Sequence, residues 1–196
     1  MIILGSNLKD APVMSLQTGG EVARTLEPLI NPEDLSVKAY LVQGHLLEPH
    51  ATHILRIADS RELSDLGFII DSIDDIAQLD EIIKLKELAE LNFHLIGMPV
   101  TDEKRHNLGK VIDFTLDTSG FVVQQLTVRR PLLKSFNDTE LLIHRSQIIE
   151  INNKSIVVHS EATIPEQELH EVAGSYINPF RKPAHTAPES TKVFQR

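Results

Sequence analysis

The residue types that carry chemistry are gathered in a few short stretches. Gly44-His-Leu-Leu-Glu-Pro-His-Ala-Thr-His53 puts His45, Glu48, His50 and His53 in one loop, a mixture of imidazole and carboxylate that zinc accepts. Pro49 breaks any helical face there, the His-Glu-x-x-His spacing is missing, and the chain has no cysteine, so a solvated loop without metal is expected. Thr18-Gly19-Gly20 offers backbone N–H groups to a phosphate. A phosphate loop needs more glycines, a lysine and a following helix, so a hairpin turn is expected instead. Arg129, Arg130, Lys134, His144 and Arg145 form the one basic cluster, with Phe136 near it for stacking. Cations beside an aromatic ring can hold RNA, and they can equally line a solvated rim. Asn178-Pro-Phe-Arg-Lys182 has the make-up of a short docking motif, with Phe180 as its apolar anchor. No Ser/His/Asp order, no paired acids with clear apolar flanks and no nucleotide fingerprint stands out. The expectation is a protein that is not an enzyme, with no catalytic residue, metal, cofactor or small-molecule substrate.

Bulk composition narrows the partners. The chain has 196 residues and a net charge of −9. Residues 1–92 hold 7 Lys/Arg against 16 Asp/Glu, whereas 93–164 hold 8 against 8 and 165–196 hold 4 against 4. All the excess acid therefore lies in the first half, which is a poor phosphate-binding surface; the second half remains open to RNA. The apolar start, Met1 to Leu8, is brief and lacks the basic lead of a secretory signal. No run approaches the ~20 apolar residues that span a bilayer. A cytoplasmic protein without a membrane partner is expected, and the absence of cysteine fits a reducing compartment.

The elements that must position these residues come from an internal repeat. Ile30 to Val42 and Leu116 to Val128 are equal in length and share an apolar pattern: Ile30 with Leu116, Leu35 with Phe121, Val37 with Val123, Tyr40 with Leu126 and Val42 with Val128. Each reads as strand, turn, strand. Upstream, Gly20-Glu-Val22 is matched with Gly109-Lys-Val111, which leaves three extra residues in the first copy. Downstream, Thr52–Ser60 is matched with Glu140–Ser146, and Gly67–Ser72 with Ser155–Ser160. Within the strands, Leu35, Val37, Ala39 and Leu41 alternate with Ser36, Lys38, Tyr40 and Val42. Ile112, Phe114 and Leu116 alternate with Val111, Asp113 and Thr115, as a half-buried antiparallel strand requires.

Between the copies, Ser72 and Asp75 form a capping-box pattern, and an Ile-, Leu-, Lys- and Glu-rich stretch predicts a helix from about Asp74 to Leu91. Past residue 163, Thr-Ile-Pro-Glu announces a short helix and the later prolines an extended tail. The expected boundaries are 1–73, a linker helix 74–92, 93–164, and a short helix and flexible tail over 165–196.

Both copies resemble the PRC-barrel domain, the small β-barrel of the cytoplasmic part of the photosynthetic reaction-centre H subunit and of the C-terminal half of the RimM ribosome-maturation factor. The second copy carries the likeness. Leu95-Ile-Gly-Met-Pro-Val100 is similar to the family's opening, Leu108-Gly-Lys-Val-Ile-Asp113 to its Leu-Gly-x-Val-x-Asp strand, Leu116-Asp117 with Phe121-Val-Val123 to its hairpin, and Leu142 to Ile148 with Ile156-Val-Val158 to its closing strands. In the first copy, Ser15–Gly19 and Val22–Thr25 stand in the opening region, the Gly-x-Val-x-Asp element is lost, and Asn31 replaces the usual Asp. The resemblance implies a mainly β fold of two tandem small barrels joined by an α-helix. It further implies assembly roles and no catalysis: a protein-binding adaptor, or alternatively a ribosome- or RNA-maturation factor binding through the second barrel. Arg129, Arg130, Lys134, Arg145 and Phe180 are the residues expected to meet the partner.

Overall fold

A computed structural model of the protein describes residues 1–131, 140–152 and 154–159. The predicted tail helix, Lys134, Phe136 and Phe180 lie outside the described residues. The fold is mainly β, with a sheet curled into a half-barrel. No helix among the described residues is long and apolar enough to cross a membrane.

Among the described residues, fourteen strands fall into two sheets. The first sheet is built from β2 (Pro12–Ser15), β3 (Gly20–Ile30), β4 (Val37–Gln43), β5 (His53–Arg56), β6 (Glu62–Ser64), β7 (Gly67–Ile70) and β8 (Ile76–Gln78). Its order is β6-β7-β2-β3-β4-β5-β8. The second contains β9 (Pro99–Asp102), β10 (Asn107–Asp117), β11 (Val122–Arg129), β12 (Glu140–His144), β13 (Ile148–Ile151) and β14 (Ile156–Val158), in the order β13-β14-β9-β10-β11-β12. One strand order thus recurs, including a parallel pair in each sheet, β2 with β7 and β9 with β14. The remaining strand, β1 (Ile2–Leu4), crosses over and pairs with the distal end of β10.

The repeat is tighter than the sequence match. Leu8-Lys-Asp-Ala-Pro-Val13 is the structural counterpart of Leu95-Ile-Gly-Met-Pro-Val100. Asp10 N–H donates to the Thr25 carbonyl at 3.0 Å, as Gly97 N–H does to Val111 at 2.8 Å. Thr25 N–H donates to the Ala11 carbonyl at 3.0 Å, as Val111 N–H does to Met98 at 2.9 Å. Asp10 (φ 58°) takes the left-handed conformation that Gly97 (φ 88°) takes in the second copy. Ala23, not Gly20, is then the partner of Gly109, since both lie opposite the Val of this motif, Val13 and Val100. The three extra residues disappear.

Three further expectations are corrected. The linker helix does not run over 74–92: α1 spans Ile83–Glu90, and the capping box of Ser72 and Asp75 closes a single 3-10 turn. Ile76 is 8% exposed and pairs with Leu55 as part of β8, so burial on the sheet edge outweighs helix propensity there. The strict alternation in β10 fails because a bulge between Val111 and Asp113 turns Val111 and Phe114 both inward. In β4, Tyr40 was expected on the polar face and is 1% exposed, with Ala39 beside it fully covered.

The two sheets meet along a seam with reciprocal bonding. Val37 N–H donates to the Phe121 carbonyl at 2.7 Å, and Val123 N–H to the Leu35 carbonyl at 3.0 Å. Ser36 and Val122 bridge between them. These residues are equivalent in the repeat, so the contact has approximate two-fold symmetry. Leu35 (φ 57°) and Phe121 (φ 48°) both adopt left-handed backbone, rare for bulky residues, which aims their carbonyls across the seam. Behind it, the Phe68 ring lies 5.3 Å from Tyr40 and 6.1 Å from Phe121. Buried residues of both sheets join in one core. Phe121→Ala removes the ring that ties the halves and is expected to cost about 3 kcal/mol in denaturant unfolding. The loss should come with a single cooperative transition, because neither sheet keeps its own closed core.

Candidate binding surface

The cationic cluster is organised by the β10–β11 hairpin. Folding this hairpin about its turn sets Lys110 directly opposite Arg129. Gly109 (φ +140°) makes the close approach possible, since a Cβ there would sit 2.0 Å from the Arg129 carbonyl. Arg130 follows at the strand end. Lys110, Arg129 and Arg130 line a cleft of about 770 Å³ whose apolar wall includes Ile96, Ile112 and Pro131. None of the three cations forms an ion pair among the described residues; Glu140 stands opposite Arg129 on its other flank but is not bonded to it. Like charges facing each other across a strand pair weaken it by a few tenths of a kcal/mol to about 1 kcal/mol, a cost that Glu140 opposite Arg129 offsets in part.

The structure therefore brings Arg129 and Arg130 together and adds Lys110, which the sequence reading missed. The signal was available, because the evenly folded hairpin already pairs positions 110 and 129. Arg145 does not line this cleft. Its guanidinium donates to the Asp34 carbonyl at 3.2 Å, which makes it part of the seam between the halves. Lys134 and Phe180 lie outside the described residues.

The other candidates resolve as follows. Thr18–Gly20 is the turn between β2 and β3, with Gly19 at φ 66°. In the histidine loop, His53 enters β5 and is 8% exposed, while His45, Glu48 and His50 are exposed or nearly so. Among the described residues no three His, Cys, Asp or Glu side chains gather as a metal site would require. A second cleft, of about 510 Å³, opens between Gly5–Lys9, β3, His94–Ile96 and β10. Ser6 closes one side, its N–H and hydroxyl donating to Asp113 at 3.1 and 2.6 Å. Tyr40 lies in the lining, and its hydroxyl has no hydrogen-bond partner among the described residues. Burial pushes that phenol well above its ordinary range, so it stays protonated.

Three carboxylates are held below their usual range. For Asp34, burial opposes ionisation, but the hydroxyl and N–H of Ser36 and the ammonium of Lys38 outweigh it. For Asp102, 6% exposed, burial is likewise overcome by the His106 N–H and imidazole, each at 2.7 Å. Asp117 is lowered by Ser119, and its neighbour the chain's amino group adds to this at 3.6 Å, pinning β1. No family model matches the chain, and no curated protein matches it.

Two outcomes follow for these groups. A carboxylate with a depressed folded-state pKa adds stability above its unfolded value and loses it as pH falls through the folded one. Asp34→Asn should therefore be less stable than the parent at pH 7 in urea unfolding, and the gap should close below about pH 4. Tyr40→Phe removes a hydroxyl that is buried without a partner and should raise stability by about 1 kcal/mol in the same assay.

Proposed function

We propose that the chain is a tandem of two PRC-type barrels that serves as a non-catalytic adaptor, taking an acidic segment of a protein partner on the rim of its second half. One observation carries this reading: Lys110, Arg129 and Arg130 converge on one cleft with no ion pair to neutralise them among the described residues. Three cations held together in a chain of net charge −9 gain from an anionic ligand. A protein segment fits better than RNA, because the acidic first half repels a polyanion that extends beyond the cleft. The recurring strand order supports the tandem-barrel reading, and the likeness to PRC barrels supports an assembly role.

Calorimetry with a short poly-glutamate peptide tests it. Binding is expected at low salt, weakening as salt screens the cleft, and falling about tenfold or more when Arg129 and Arg130 are both replaced by Ala. Tighter binding of a single-stranded RNA oligonucleotide, lost in the same variant, would favour an RNA-maturation role instead.

A further inference from the structure

We infer that the outer edge of β12 is a docking site for an extended segment of a protein partner, added as an antiparallel strand in the register that β8 takes on β5. This surface is separate from the cationic cleft and extends the adaptor reading without depending on it. The inference comes from comparing two equivalent edges. In the first sheet the edge strand β5 is covered: β8 pairs with it, setting Ile76 opposite Leu55 and Ala77 opposite Ile54. Leu79 N–H then donates to the Thr52 carbonyl at 2.8 Å. In the second sheet, β12 holds the place of β5 and ends the strand order, with nothing paired to its outer side among the described residues.

Burial differs between the two edges as well. Leu55 and its counterpart Ile143 are both fully buried, since both face the core. Ile54 is also fully buried, whereas its counterpart Leu142 is 57% exposed. The difference sits at the position that β8 pairs with in the first sheet. The backbone of β12 is presented for pairing as well. His144 N–H donates to the Gln147 side chain at 2.8 Å, so this N–H points away from β11. Antiparallel alternation then turns the N–H and C=O of Leu142 outward, two residues earlier. The middle of the strand is Leu141-Leu142-Ile143, without the charge or proline that usually protects an exposed edge. The matching segment is short and extended, with an aliphatic residue opposite Ile143 and a small one opposite Leu142. Main-chain hydrogen bonds supply affinity and the aliphatic residue supplies register.

A fluorescent peptide with the sequence Asp71–Asp80, which contains β8, is the probe, used with the full chain. Binding is read by anisotropy and placed by amide hydrogen exchange. The Leu142 amide should exchange freely in the chain alone and about tenfold more slowly with saturating peptide. Leu142→Pro should abolish binding, because an outward N–H at an edge can be lost without breaking the sheet. If that variant fails to fold, Ile76→Asp in the peptide serves the same purpose and should weaken binding by about tenfold or more. The peptide is acidic, so the chain with Arg129 and Arg130 replaced by Ala must still bind it. Binding lost in that variant but kept in Leu142→Pro would place the peptide on the cationic rim and overturn the inference. A Leu142 amide already protected in the chain alone would overturn it too, by showing that the chain covers its own edge.

Discussion

Everything in this fold depends on the reciprocal contact at Leu35 and Phe121. Two backbone hydrogen bonds cross there, each contributing roughly 1 kcal/mol net. Two bulky residues in left-handed backbone cost roughly 1–2 kcal/mol each. Bonds and strain therefore come close to cancelling. What makes the seam favourable is apolar burial: Leu35 is 4% exposed, and Phe121, 9% exposed, lies against the fully buried Phe68. Burying side chains of this size contributes roughly 1.5–3 kcal/mol apiece. Hydrogen bonding thus fixes the register between the sheets, and packing supplies the stability.

The same seam explains why the halves need each other. Sheets of six or seven short strands have small cores, and here the inward faces are shared. β1 reinforces the tie by carrying the chain's first residues onto β10, where Met1 accepts a hydrogen bond from Thr118 and its amino group meets Asp117. Gly5 has to be a glycine for that path, since a Cβ would lie within 2.4 Å of the Phe114 ring. Arg145, a candidate partner contact by sequence, bonds the Asp34 carbonyl at the seam. Both sheets belong to one compact unit.

The two copies differ in their surface charges and at their sheet edges. Equivalent positions Arg24 and Lys110 are both basic, yet Arg24 is bound to Glu21 and Asp10 while Lys110 forms no ion pair among the described residues. Equivalent edges β5 and β12 differ in the same sense, one covered and one open among the described residues. In the first copy, acids pair with Arg24 and β8 pairs with the edge of β5.

By itself, the sequence determined the β class, the repeat, and the turn that places Leu35 opposite Phe121 in the alignment. These rest on local periodicity and turn chemistry, which short windows carry. It also showed the basic cluster, though not its membership. The opening motif of the first copy was hidden because Asp10 occupies a position where the second copy has Gly97; only backbone conformation reveals that they do the same work. The helix expected over 74–92 shrank to Ile83–Glu90 because the edge of β5, far away in sequence, offered Ile76 a buried site. Lys110 joined the cleft for the same kind of reason. Such outcomes turn on which chain segments are neighbours in space, and only the tertiary structure decides that.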